Sequence, residues 1–141
     1  MSWAEAFENI NYLSVALGAI ASLVLGAFWY SPKVLGKKWA VQVGLKKKDM
    51  ESKDGLAVMM ITSVIFYSLV SLFTAALMQM TGAEGIGEGL LMGLILGFVF
   101  GFGPLLVTYS FARRMFDISL IDGGYIVVTT LAIGTIIGAI G

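Results

Sequence analysis

Residues 86–111 read IGEGLLMGLILGFVFGFGPLLVTYSF, and beyond Glu88 the stretch carries no charge. It is long enough to cross a hydrocarbon core of roughly 30 Å, which takes about 20 helical residues. Its apolar residues run on without alternation, which excludes a barrel strand, and in lipid a helix pairs all its own backbone groups. Starting one residue earlier, glycine recurs at every fourth position: Gly85, Gly89, Gly93, Gly97 and Gly101. A helix turns about 100° per residue, so these glycines form one stripe almost free of side chains. Lipid tails are as apolar as leucine, so membrane helices associate through close packing, and such a stripe lets backbones approach. The stripe fits packing within one subunit or between subunits, and it could also line a conduction path.

Three further apolar runs have the same character: residues 10–30, 55–80 and 118–140. The expected fold is all-α, an integral membrane four-helix bundle in a single domain over residues 1–141. Composition agrees: 58% of the 141 residues are hydrophobic and only 13% charged, and mean hydropathy is +0.91. A soluble domain of this size could not cover so much apolar surface with so few charges. Glu5 and Glu8, with no basic residue, precede the first run. That is the reverse of a signal peptide, and the run is expected to stay as a helix.

Small residues line other faces as well. The first run has Ser14, Gly18, Ser22 and Gly26; the last has Thr130, Gly134 and Gly138; the second has the less regular pair Ser71 and Ala75. Three such faces suggest a tight bundle and an oligomer. Pro104 removes a backbone donor and crowds the carbonyl of Phe100, so a kink is expected there, either a plain bend or a hinge.

The charges are segregated. Lys33, Lys37, Lys38, Lys46, Lys47, Lys48 and Lys53 lie in the first connection, and Arg113 and Arg114 lie in the third. The amino-terminal tail and the second connection hold Glu5, Glu8, Glu84 and Glu88 and no basic residue. The positive-inside rule then places both basic loops in the cytoplasm and both termini outside an inner membrane. Within residues 31–54, Ser31-Pro32 reads as an N-cap and first-turn proline. Val34, Leu35, Trp39 and Val43 follow at near-helical spacing, which predicts a short interfacial amphipathic helix ending near Gly44. The lysine run reads as a contact for anionic lipid headgroups rather than nucleic acid.

Chemistry-bearing residues are few. Cysteine and histidine are absent, which removes disulfides, thiolate and imidazole metal sites and the usual nucleophile pairs. No metal, cofactor or catalytic residue is expected, and no enzyme. Eight methionines are scattered and read as adaptable packing. The one candidate polar site is Asp122 with Tyr109, Arg113, Arg114 and Tyr125. Asp122 could bind a cation, exchange a proton or pair with an arginine, or it could cap the last helix.

Residues 11–40, NYLSVALGAIASLVLGAFWYSPKVLGKKWA, end the first run on Trp29-Tyr30-Ser31-Pro32. With Ile121-Asp122-Gly123-Gly124-Tyr125 and Gly134-x-x-x-Gly138, the chain resembles the bacterial membrane proteins of domain-of-unknown-function family 1761 over nearly its whole length. The resemblance implies four transmembrane helices and supplies no catalytic residue. The family often has Asn-Ala-Gly-Tyr where this chain has Asp122 to Tyr125, which speaks against a required carboxylate at 122. Small multidrug exporters also have four helices, but they depend on a glutamate in the first, and here that helix has none. The expected function is a non-enzymatic packing protein, a homo-oligomer or an accessory subunit of a larger membrane complex. The alternative is a small-solute or ion pathway formed by an oligomer with Asp122 at its cytoplasmic mouth.

Overall fold

The computed structural model describes all 141 residues, Met1–Gly141. A short helix α1 (Trp3–Glu8) precedes the first span, α2 (Tyr12–Trp29). Two short helices, α3 (Gly36–Val43) and α4 (Lys47–Met50), lead to the second span, α5 (Lys53–Thr81). The third span is α6 (Gly85–Leu94), a π-helical segment Ile95–Phe102, and α7 (Gly103–Phe111); the fourth is α8 (Phe116–Ile140). All four are long and apolar enough to cross a membrane, and their ends lie within two residues of the apolar runs. The protein is an all-α, multi-pass membrane bundle.

The fourth span is the hub. It packs against each of the other three, whereas the second and third scarcely meet. A cluster of seven buried residues, Ile10, Val15, Ala75, Ala76, Met78, Ile133 and Ile137, fills one end of the junction between spans one, two and four. At that end Asn11 ties the chain's two extremities. Its Oδ1 accepts from the Leu13 N–H at 3.1 Å, and its Nδ2 donates to the Ile140 carbonyl at 2.7 Å. The start of α2 and the end of α8 thus share one face of the bundle. There α1 is closed by reciprocal bonds between Ser2 and Glu5, which hold the Glu5 carboxyl below its usual range. Its Trp3 and Phe7 rings pack with Phe73.

The connection after α2 departs from the sequence expectation. Ser31 does not cap a following helix, because its Oγ donates back to the Phe28 carbonyl at 2.8 Å. Residues 31–35 form a turn, with the Gly36 N–H donating to the Ser31 carbonyl at 2.9 Å. Helix α3 therefore begins at Gly36, with Leu35 at its N-cap. Gly36 packs so closely on the Tyr30 carbonyl that no side chain fits. The helix ends on Gly44 in the left-handed conformation (φ 76°).

Ahead of Pro104 the third span winds into a wide turn. The Gly103 N–H donates to the carbonyl of Phe98, five residues back. Wide turns of this kind accommodate a register that the α-helix cannot continue, here into a residue without an N–H.

Candidate functional site

Two arrangements gather the residues singled out from the sequence: a seam without side chains and a polar node around Asp122.

The seam lies inside the subunit. The glycine stripe of α6 faces the small residues of α8, and it does so backbone to backbone. A Cβ on Gly89 would strike the carbonyl group of Gly134, and one on Gly134 would strike that of Gly89. Gly93 meets the Thr130 carbonyl and the Leu131 Cα, Gly97 meets Thr130 and Val127, and Gly138 meets the Gly85 carbonyl. Farther along, Gly101 faces the side chain of Ile126. The small face of α2 is also used internally. Gly18 meets Ser71, Gly26 meets the Tyr125 hydroxyl, and Ser14 and Ser22 are fully buried. The Ser71 hydroxyl donates across to the Val15 carbonyl at 2.8 Å, and that of Ser22 turns back to the Gly18 carbonyl. These stripes therefore face neighbours within the same chain.

The polar node sits at the other end of the hub. Helix α8 starts at Phe116, so Asp122 is six residues inside it and caps nothing. Asp117 occupies the first turn instead and pairs with Lys38 at 3.0 Å. Nor does Asp122 pair with an arginine. Tyr30 donates its hydroxyl to Asp122 Oδ1 at 2.7 Å, and Tyr109 donates to Oδ2 at 2.7 Å. One carboxylate thus ties the ends of spans one and three to span four. Next to it the Trp29 indole N–H donates to the Ile121 carbonyl at 2.9 Å, and Gly124 makes room for that ring.

Aromatic rings extend the node. Tyr125 donates to the Ser22 carbonyl at 2.9 Å and packs edgewise on Tyr30 and Tyr67, at centroid distances of 5.3 and 5.7 Å. Trp39 of α3 packs on Tyr30 at 5.1 Å. The Arg114 guanidinium lies over the Tyr109 ring at 5.5 Å, whereas Arg113 makes no salt bridge. Of the five residues proposed together, Tyr109 and Asp122 bond directly, Arg114 and Tyr125 border them, and Arg113 stands outside. Tyr30 joins the node although it had been noted only within the Trp29-Tyr30-Ser31-Pro32 motif. Tyr67 was missed; the one phenol of the second apolar run is the signal that could have found it.

Chemically the node holds a hydrogen-bond acceptor, each of whose two oxygens takes one phenol hydroxyl. No group of three or more His, Cys, Asp or Glu side chains stands close enough together to hold a metal ion. The Thr129 hydroxyl is fully buried without a partner, two turns along the same face of α8 from Asp122.

A family model described as "Protein of unknown function (DUF1761)" matches residues 13–138. The chain belongs to that family. The match takes in α2 through nearly all of α8, and so both the seam and the node. No curated protein matches the chain, and no solved structure does. The DUF1761 family thus supplies membership without an activity.

Proposed function

We propose that this DUF1761 protein is a non-enzymatic packing subunit of the bacterial inner membrane, acting as a homo-oligomer or as an accessory subunit of a larger membrane complex. The observation that carries this reading is the basic-end half of the second span. From Lys53 to Phe66 every residue except Ser63 is exposed. About four helical turns there, with Leu56, Met60, Ile61 and Ile65 among them, stand exposed instead of buried against the rest of the chain. The glycine seams make the rest of the bundle a firm platform for such a contact, and the contact surface is this half-helix rather than the seams. By the positive-inside rule the basic loops face the cytoplasm and both termini face outward.

The polar node supports a structural role over a catalytic or conducting one. General acid–base work needs a titratable group within reach of a substrate, and both oxygens of Asp122 are bonded to phenols.

The chain has no cysteine, so Met60→Cys gives a unique thiol on the exposed half-helix. Oxidation in native membranes should yield a cross-linked species, and extraction in a mild detergent should recover an assembly larger than one chain. A strict monomer without companions or cross-links would overturn the reading. So would a solute flux in sealed vesicles that Asp122→Asn abolishes.

A further inference from the structure

We propose that the cavity at the end of the bundle opposite the basic loops is a binding site for a small alkylammonium cation. This does not depend on the assembly proposed above. All four spans or their ends contribute to the cavity, whose volume is about 490 Å³, a size usual for small-molecule sites. Its lining has two levels. Ile10, Ala75, Met78 and Ile137, all buried, form an apolar floor. Ser14 is the one polar side chain buried among them. Its hydroxyl already donates to the Asn11 carbonyl at 2.6 Å, so the floor calls for no further polar partner. Gln79, half-buried, and Glu84, exposed, stand nearer the mouth.

Glu84 sets the sign of the ligand. Its carboxylate is the one ionisable side chain in the lining, and it makes neither a salt bridge nor a capping bond within the chain. Every Lys and Arg lies between residues 33 and 53 or at 113 and 114, in the loops of the opposite end, whereas Glu5, Glu8 and Glu88 share this one. Two spans begin here and two end, so their helix dipoles nearly cancel. Met1 and Gly141 also line the cavity, and charges at the two ends of a chain are of opposite sign. An ammonium group offers three donors, for which the Glu84 carboxylate and the Gln79 amide oxygen are acceptors. Its alkyl tail then covers the floor. A carboxylate ligand would be repelled by Glu84, and an alcohol would leave that charge unpaired.

The test follows the methionine methyl resonances of isotope-labelled protein in nanodiscs of dioleoyl phosphatidylcholine during titration with butylammonium chloride. The Met78 signal should shift and saturate, while that of Met60, on the exposed half of the second span, should stay in place. Glu84→Gln, with helix content checked by circular dichroism, should raise the half-saturation concentration about fivefold, as expected for a partly exposed ion pair. Glu88→Gln removes the same charge one turn along α6, outside the cavity lining, and should leave the titration unchanged. Methylammonium, which lacks the tail, should bind several-fold more weakly, and butyrate should not shift Met78. Four results would each overturn the site: no saturation at Met78, a shift shared by Met60, an equal effect of the two glutamine variants, or an equal response to butyrate. A strictly monomeric protein would leave it intact.

Discussion

Gly89 and Gly134 meet with no side chain between them, and each would receive a Cβ against the other's carbonyl. Dispersion and weak Cα–H contacts across such a seam replace the hydrophobic drive that lipid does not supply. Even one added methyl at this seam must push two backbones apart. Gly134→Ala and Gly89→Ala should each destabilise the bundle by about 1–3 kcal/mol, and leucine at either place should prevent the third span from docking. Gly87 provides the control, because it lies in the same helix with open space where its Cβ would be. Gly87→Ala should be neutral or stabilising by up to about 1 kcal/mol. Unfolding in mixed micelles by sodium dodecyl sulfate titration measures both.

Asp122 joins three spans through two phenols, so its substitutions sort by how many bonds survive. Hydrogen bonds to a charged acceptor contribute about 1.5–3 kcal/mol each. Tyr30→Phe and Tyr109→Phe should each cost about that much, discounted toward the lower end for Tyr109 because it is more exposed to its surroundings. Asp122→Asn keeps one acceptor oxygen and replaces the other charged bond by an amide N–H donating to a phenol, and Asp122→Ala strands both phenols and should cost more. A double-mutant cycle should show the two tyrosines coupled through the shared carboxylate. Purely additive losses in the same titration would mean that the carboxylate does not link the helices.

Much of this architecture was legible in the sequence, and the physical reasons differ by residue. Span number and ends follow from run length because the bilayer sets it. Gly44 ends α3 as expected because a left-handed residue there favours glycine. The Tyr30–Asp122 bond spans 92 residues, and no local period encodes a contact of that kind. Asp122 could be taken for a cap beside an expected run starting at 118; the helix begins at Phe116, which hands the first turn to Asp117 and leaves Asp122 well inside. The glycine stripe was plain, but a stripe is the same whether its partner is Gly134 of the same chain or a foreign helix. The wide turn before Pro104 was read only as a kink, since loss of one donor does not specify how the backbone compensates.

Arg113 closes α7 with a left-handed backbone, φ 56°. Its N–H donates to the Ser110 carbonyl at 3.2 Å and that of Arg114 to the Tyr109 carbonyl at 3.0 Å, a helix ending in which glycine normally takes the left-handed place. A side chain there costs roughly 1 kcal/mol. Arg113→Gly should therefore stabilise the protein by about that amount in a neutral detergent without anionic lipid. A loss of stability under those conditions would show that the guanidinium makes a contact worth more than the strain.

Glu5 gives the amino-terminal helix a pH dependence with a definite sign. Its carboxyl accepts from the Ser2 N–H while its own N–H donates to the Ser2 hydroxyl, and its pKa is lowered by the backbone bond first and the side-chain bond second. A lowered folded-state pKa stabilises the helix fully above the unfolded value, and that contribution disappears as pH falls through the folded value. Acidification below the ordinary carboxylate range should thus fray α1 and loosen Trp3 from Phe7 and Phe73. Fluorine resonances of 5-fluorotryptophan report this directly. The Trp3 signal should shift on acidification, and in Glu5→Gln it should lose that pH response, while the signals of Trp29 and Trp39 at the opposite end report whether the bundle itself has changed. A Trp3 signal with the same pH response in both proteins would remove Glu5 as its cause.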